Sequence, residues 1–197
     1  MKRIVYLVGV FSMCLMLSAC GEMPDYTSDH ITVMTTNFTP TQETINQLEQ
    51  SDMKKSIVFG DMSYEYMEKY YVNICDDTSS LESLFCTDLI IPEEFESKYL
   101  VTMNPNETGI DVVSEEYEYE GVGINLSIVA QLVNAAEYRV SQEGITEKED
   151  ITLNGMEASA YYFEGGTVIL CNSDDLLYIW NVGTDNKQII KDFISTF

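Results

Sequence analysis

The chain has 197 residues, 45% of them hydrophobic, enough for a buried core and too many for global disorder. Ten basic residues stand against 33 acidic ones, a formal net charge of −23. That balance excludes a nucleic-acid-binding surface, which needs a basic face, and opposes charge-driven adhesion to an anionic membrane.

The first twenty residues carry a targeting signal. Lys2 and Arg3 precede an uncharged apolar run from Ile4 to Met16, and Leu17-Ser18-Ala19-Cys20 follows. A basic start, a short apolar core and small residues before a cleavage point make a secretory signal peptide. The run is shorter than the roughly 20 apolar residues of a spanning helix. Its ending resembles a bacterial lipobox, which implies cleavage before Cys20 and lipidation of its thiol. Residues 1–19 are thus expected to be signal, residues 20–38 the lipidated cysteine and a flexible tether, and residues 39–197 a single acidic domain. The expected location is the cell membrane, lipid-anchored and facing outside the cytoplasm. Losing residues 1–19 removes Lys2 and Arg3 and no acid, which leaves 8 basic and 33 acidic residues, a net charge of −25. Such charge suits a solubilising coat or a basic protein or peptide partner.

Residues 21–38 are polar, carry Pro24 and show no hydrophobic period. Thr39-Pro40-Thr41-Gln42 has the residue types of a helix start, and Ile45 and Leu48 give a helix over about 40–54 a thin apolar stripe. From Ser56 the pattern changes to period two, through Ile57 and Phe59, then Met62, Tyr64 and Tyr66, then Tyr70, Val72 and Ile74. This predicts strands, with a helix over 61–71 as the alternative. Ser79-Ser80-Leu81-Glu82 matches a capping box that opens a short helix to Phe85 or Cys86. Strands are predicted at Asp88–Ile91, stopped by Pro92, and at Tyr99–Met103. The turn-forming stretch Asn104 to Gly109 separates the latter from a strand that places Val113, Tyr117 and Tyr119 on one face. Ser114, Glu116, Glu118 and Glu120 would occupy the other. Gly123 to Ala130 reads as a more buried strand, and Leu132–Gln142 as a helix stopped by Gly144.

The last third gives the clearest pattern. Ile151 and Leu153 lead into Asn154-Gly155, a strong two-residue hairpin signal. Strands Met156–Phe163, Thr167–Cys171 and Leu176–Val182 follow, separated by Gly165-Gly166 and Asn172-Ser173-Asp174-Asp175. Asp185 and Gln188 suit the cap of a final helix bearing Ile189, Ile190, Phe193, Ile194 and Phe197 at helical spacing. The predicted fold class is α+β: an antiparallel sheet with a C-terminal four-stranded meander and helices packed on one face.

Ile91-Pro92-Glu93-Glu94-Phe95, Ile151 to Ala158, Phe163-Glu164 and Leu177-Tyr178-Ile179-Trp180 carry a resemblance. Over about residues 80–197 the chain resembles a domain-of-unknown-function family at the C-termini of Gram-positive bacterial lipoproteins and anti-sigma-factor-like membrane proteins. It departs from the family at Trp180-Asn181, where an acid usually follows the Trp. The resemblance implies location and fold class, and it brings no catalytic residues.

No catalytic set stands out. The single histidine, His30, lies in the tether, which argues against His-based triads and multi-His zinc sites in the domain. No cofactor is indicated, because a glycine-rich phosphate loop is missing. Glu116, Glu118 and Glu120 are weak metal candidates, since hard cations take carboxylate oxygens. Cys75, Cys86 and Cys171 remain for the domain, with any disulfide left open. Tyr161 and Tyr162 must face opposite ways in a regular strand, so one of them is a candidate for a partner surface. The expected function is a non-catalytic binding or sensing domain. A carboxylate- or metal-dependent hydrolase and a small-ligand or lipid carrier are the alternatives.

Overall fold

The computed structural model describes residues 5–6, 41–51, 57–59, 62–65, 70–103, 109–130, 144–173 and 175–197. Cys20, the tether, the Asn104–Thr108 turn and the Leu132–Gln142 helix lie outside the described residues. In chain order the elements are β1 (Val5–Tyr6), α1 (Gln42–Gln47), β2 (Glu49–Ser51), β3 (Ile57–Phe59), β4 (Met62–Glu65), β5 (Tyr70–Cys75) and α2 (Thr78–Phe85). There follow β6 (Tyr99–Met103), β7 (Ile110–Ser114), β8 (Tyr117–Tyr119), β9 (Val122–Ala130), β10 (Ile145–Leu153), β11 (Met156–Phe163), β12 (Gly166–Ser173), β13 (Leu176–Val182) and α3 (Lys187–Ile194).

A ten-stranded antiparallel sheet dominates the fold, in the order β10-β11-β12-β13-β9-β7-β6-β5-β2 with β8 also on β9. The fold is therefore more sheet-dominated than the predicted balance of helix and strand. A smaller sheet joins β1, β4 and β3. The predicted meander is present as β10 to β13, but it is one half of a larger sheet. β9 is the seam: it pairs with β13 on one side and with β7 and β8 on the other.

The hairpins follow from their turn residues. Asn154 (φ 46°) and Gly155 (φ 81°) take the left-handed conformations of a type I′ turn, whose twist matches the flanking strands. Leu153 then pairs with Met156. Glu120 (φ 50°) and Gly121 (φ 76°) do the same between β8 and β9.

One face of the sheet carries the main core. Val101, Ile128, Ala160, Ile169 and Trp180 each lie within it at 0% exposure, together with α2 residues Leu81 and Leu84 and α3 residues Ile190 and Phe193. Trp180 is its hub. It meets Phe95, Phe193 and Phe197 edge-on, at centroid distances of 5.1, 5.5 and 5.2 Å. Such tilted geometry is favoured by the ring quadrupoles. The opposite face holds a second cluster of Val129, Tyr161, Leu170, Leu177 and Ile179.

The helices begin where side-chain acceptors cap them. In α1 the cap is Thr41, whose hydroxyl accepts from the Thr44 amide at 3.1 Å. Leu48 leaves helical geometry and the chain continues as β2, so the helix is shorter than the predicted 40–54. The α2 cap is Asp77 and not Ser79; its carboxylate accepts from the Ser80 amide at 2.7 Å. Glu82, the expected partner in the capping box, instead accepts from the Leu89 amide at 3.0 Å. In α3 the cap is Asn186, one residue after the predicted Asp185.

Hydrogen bonds from Ser80 hold the Asp77 carboxyl below the usual carboxylate range. A lowered native pKa means stability that is present above the unfolded value and lost as pH falls through the folded one. Asp77→Ala should therefore lower the melting temperature at pH 7, and wild type and variant should converge toward pH 2. Thermal melts across pH 2–7 check this; a constant gap would refute it.

Two predicted strands differ. Asp88–Ile91 forms no strand. This segment is a loop whose backbone is held by side chains: the Ile90 amide donates to Tyr178 Oη at 3.3 Å, and Phe95 is driven into the core. The strand predicted through Ser114 to Glu120 is broken at Glu115-Glu116. The Glu115 amide still continues the β6 ladder, donating to the Lys98 carbonyl at 2.8 Å, but the register against β9 slips by one residue between Val113, opposite Ser127, and Tyr117, opposite Ile124. The break reverses the side-chain alternation, because a strand's inward set has a period of two. Val112 and Ser114 are buried before it, and Tyr117 and Tyr119 pack on the core after it, while Val113 is on the other face. Ser114 bridges the gap, its buried hydroxyl accepting from the Leu126 amide at 2.8 Å.

Candidate functional site

The break at Glu115-Glu116 leaves the whole acidic row on its C-terminal side. Glu116 sits in the bend with its carboxyl over Gly123; a methyl group at position 123 would lie 2.7 Å from Glu116 Cδ. Glu118 is exposed on β8, and Glu120 occupies the following turn. All three are exposed and alternate with Tyr117 and Tyr119, which pack on the core. Among the described residues, no group of three or more His, Cys, Asp or Glu is placed to hold a metal ion.

Tyr161 and Tyr162 do face opposite ways, but both are buried, at 4% and 3% exposure. The expectation of an exposed aromatic surface at these positions is corrected. Tyr161 lies in the second apolar cluster because that face is not fully solvated. Tyr162 is on the helix-covered face. Its hydroxyl donates to Glu149 Oε2 at 3.1 Å, and Lys187 Nζ stands 5.0 Å above its ring. Lys187 also pairs with Glu147 and, at 3.9 Å, with Glu149. This group fastens the first turn of α3 to β10 and β11. Burial, the bond to Glu149 and the nearby carboxylates push the Tyr162 phenol up to about 12.

Cys75, Cys86 and Cys171 are free thiols. Burial pushes Cys75 and Cys171 up to about 11, with Asp77 and Asp76 adding to the effect at Cys75. Such thiols are poor nucleophiles at neutral pH, because the thiolate is the reactive form. Cys86 is exposed at the left-handed C-cap of α2.

The described surface does contain a concavity that the linear sequence did not single out. It lies across β10, β11 and β12 on the face opposite the helices and measures about 490 Å³. Asp150, Thr152, Glu157, Ser159 and Asn172 form its polar walls, and Leu170 contributes apolar floor. These residues meet because Asp150 pairs with Ser159, Thr152 with Glu157, and Ser159 with Leu170. Ser159 Oγ donates to Asp150 Oδ1 at 3.2 Å, and Lys148 Nζ reaches the same carboxylate oxygen at 3.4 Å. The sequence held a signal for this cluster: polar residues alternate on both arms of the Asn154-Gly155 hairpin. Its open, polar character suits a solvated polar ligand more than an enclosed lipid.

No family model matches the chain, and neither a curated protein nor a solved structure matches it.

Proposed function

We propose that this chain is a membrane-anchored bacterial lipoprotein whose folded part is a non-catalytic binding or sensing domain at the cell envelope. The observation that carries the reading is Leu17-Ser18-Ala19-Cys20 behind a short apolar run. Lipid on Cys20 holds the chain to the membrane, and residues 21–38 hold the domain away from it. The domain is α+β, with its few helices on one face of a dominant sheet. Its acidity supports a basic protein or peptide partner, and the polar concavity on β10 to β12 offers a place for contact. Cleavage before Cys20 removes Val5–Tyr6, leaving β3 and β4 of the smaller sheet.

Each buried CH₂ of an acyl chain contributes about 0.8 kcal/mol to membrane affinity, and two chains suffice for stable anchoring. Cys20→Ala should therefore move the protein from the membrane fraction to uncleaved precursor or soluble material. The mass added to the Cys20 peptide should vanish with it. Unchanged fractionation, together with an unmodified Cys20 in the wild type, would refute the anchor. A pull-down with the detergent-solubilised mature chain tests the binding role; recovery of no specific protein partner counts against it.

A further inference from the structure

We infer that the open side of β10, together with the concavity beside it, receives an extended basic peptide segment of a protein partner. This rests on the binding-domain reading above and narrows it to one surface and one ligand class.

The backbone supplies the first part of the argument. Among the described residues, β10 pairs only with β11, so it is the edge of the large sheet. The two-residue turn at Asn154-Gly155 makes Leu153 and Met156 the hydrogen-bonded closing pair. By alternation, Leu153, Ile151 and Glu149 direct their backbone groups toward β11. Thr152, Asp150 and Lys148 direct theirs to the open side. The register shift between Ile145 and Glu147 ends the regular ladder, which leaves Glu147–Leu153 as the usable edge. A strand added there would continue the sheet through main-chain bonds, about 4.8 Å from β10.

The side chains supply the second part. Thr152 and Asp150, whose backbone groups point outward, also present their side chains to the concavity. Alternate side chains of an added strand would therefore lean over Asp150, Thr152 and Glu157. The carboxylates of Asp150 and Glu157 suit a Lys or Arg head group. Lys148 competes for Asp150, but that ion pair is solvent-exposed, with 37% and 83% of the two side chains accessible. Exposed pairs of this kind contribute little and can be displaced.

Charge selects the occupant. The edge bears Glu147, Glu149 and Asp150, with Glu157 beside it on β11, against Lys148 and against Lys187, which pairs with Glu147 and Glu149, in a chain of net charge −23. A second copy pairing edge to edge would bring like charges together, a common device against self-association. A basic strand meets no such repulsion.

The test uses the detergent-solubilised mature chain and a fluorescent nine-residue peptide of alternating Lys and Val, capped at both ends. Fluorescence anisotropy should show saturable binding that weakens with salt, and an alternating Glu and Val peptide should not bind. Thr152→Pro removes an outward-facing amide without touching the carboxylates and should weaken binding at least tenfold. Asp150→Asn with Glu157→Gln keeps the backbone intact and should weaken it by a similar factor. Lys148→Gln should strengthen it about threefold, a gain that structural damage would not produce. Unchanged affinity in the Asn/Gln double variant, or equal binding of the acidic peptide, would overturn the site. So would sedimentation showing a dimer that Thr152→Pro dissolves, because the occupant would then be a second copy. Any of these results would leave the wider binding role standing, since the pull-down tests that separately.

Discussion

Trp180→Ala should destabilise the domain by about 3–5 kcal/mol, the range found for fully buried Phe or Trp truncations. Trp180 is wholly buried and is the ring that Phe95, Phe193 and Phe197 share. Removing it opens a cavity where the central strand β13, the loop after α2 and the C-terminal helix meet. The loss corresponds to a drop in melting temperature of roughly 6–20 °C for a domain of this size. Trp180→Phe should cost much less. It keeps an aromatic ring in place, and it removes an indole Nε1–H that is buried without a hydrogen-bond partner among the described residues. A buried unpaired donor costs about 1–3 kcal/mol, which offsets part of the lost volume. Urea unfolding followed by far-UV circular dichroism separates the variants. If the Ala and Phe variants lost equal stability, Trp180 would not be the hub described.

The second large effect is expected on the alkaline side. Burial pushes the phenols of Tyr99 and Tyr178 up to about 12, against an ordinary value near 10. Burial outweighs the hydrogen bonds that oppose it, Tyr99 Oη with Thr78 Oγ1 at 2.9 Å and Tyr178 Oη accepting from the Ile90 amide. An acid whose folded pKa is raised keeps its proton longer in the native state. Its contribution is complete below the unfolded pKa and is lost as pH climbs from about 10 to 12. For the more enclosed Tyr178, the rise to about 12 corresponds to roughly 2–3 kcal/mol. Cys75 and Cys171 add to the same slope and start earlier, because their thiols shift from about 9 to about 11. Urea midpoints should therefore be nearly flat between pH 7 and 8.5 and fall steeply above pH 10. Tyr178→Phe should flatten part of that fall while lowering stability at pH 8, because it leaves the Ile90 amide unpaired. A wild-type midpoint unchanged between pH 8 and 11.5 would contradict the burial of these groups.

The sequence was most legible where local chemistry decides the structure. Asn154-Gly155 defined a hairpin because few other residue pairs adopt two consecutive positive φ angles. The apolar spacing of Ile190 and Phe193 placed α3. Legibility failed where distant groups compete for the backbone. Alternation alone cannot reveal that the register against β9 slips by one residue at Glu115-Glu116, or that Tyr178 and Glu82 satisfy the segment after α2 in place of a neighbouring strand. The candidate site shows the same division. The acidic row at Glu116, Glu118 and Glu120 was visible as spacing and is exposed, but among the described residues it forms no group placed to hold a metal ion. The exposed-tyrosine idea failed because Tyr161 packs in the second apolar cluster and Tyr162 under α3. Asp150, Thr152, Glu157 and Ser159 escaped notice because their meeting depends on hairpin register, even though the turn that sets this register was plain.

The position of β9 also has a consequence for how the chain acquires its structure. β9 borders β7 and β8, which lie just before it, and β13, which begins at residue 176. The strands up to β9 can assemble from near neighbours, and β10 to β13 can form hairpin by hairpin. Joining the halves requires closing a long loop, a slow step compared with local pairing. A chain that is made N-terminus first must therefore hold the open side of β9 unpaired until its last two dozen residues arrive. Premature capture of that side by another strand is the characteristic hazard of this topology, and truncation anywhere before β13 would make it permanent.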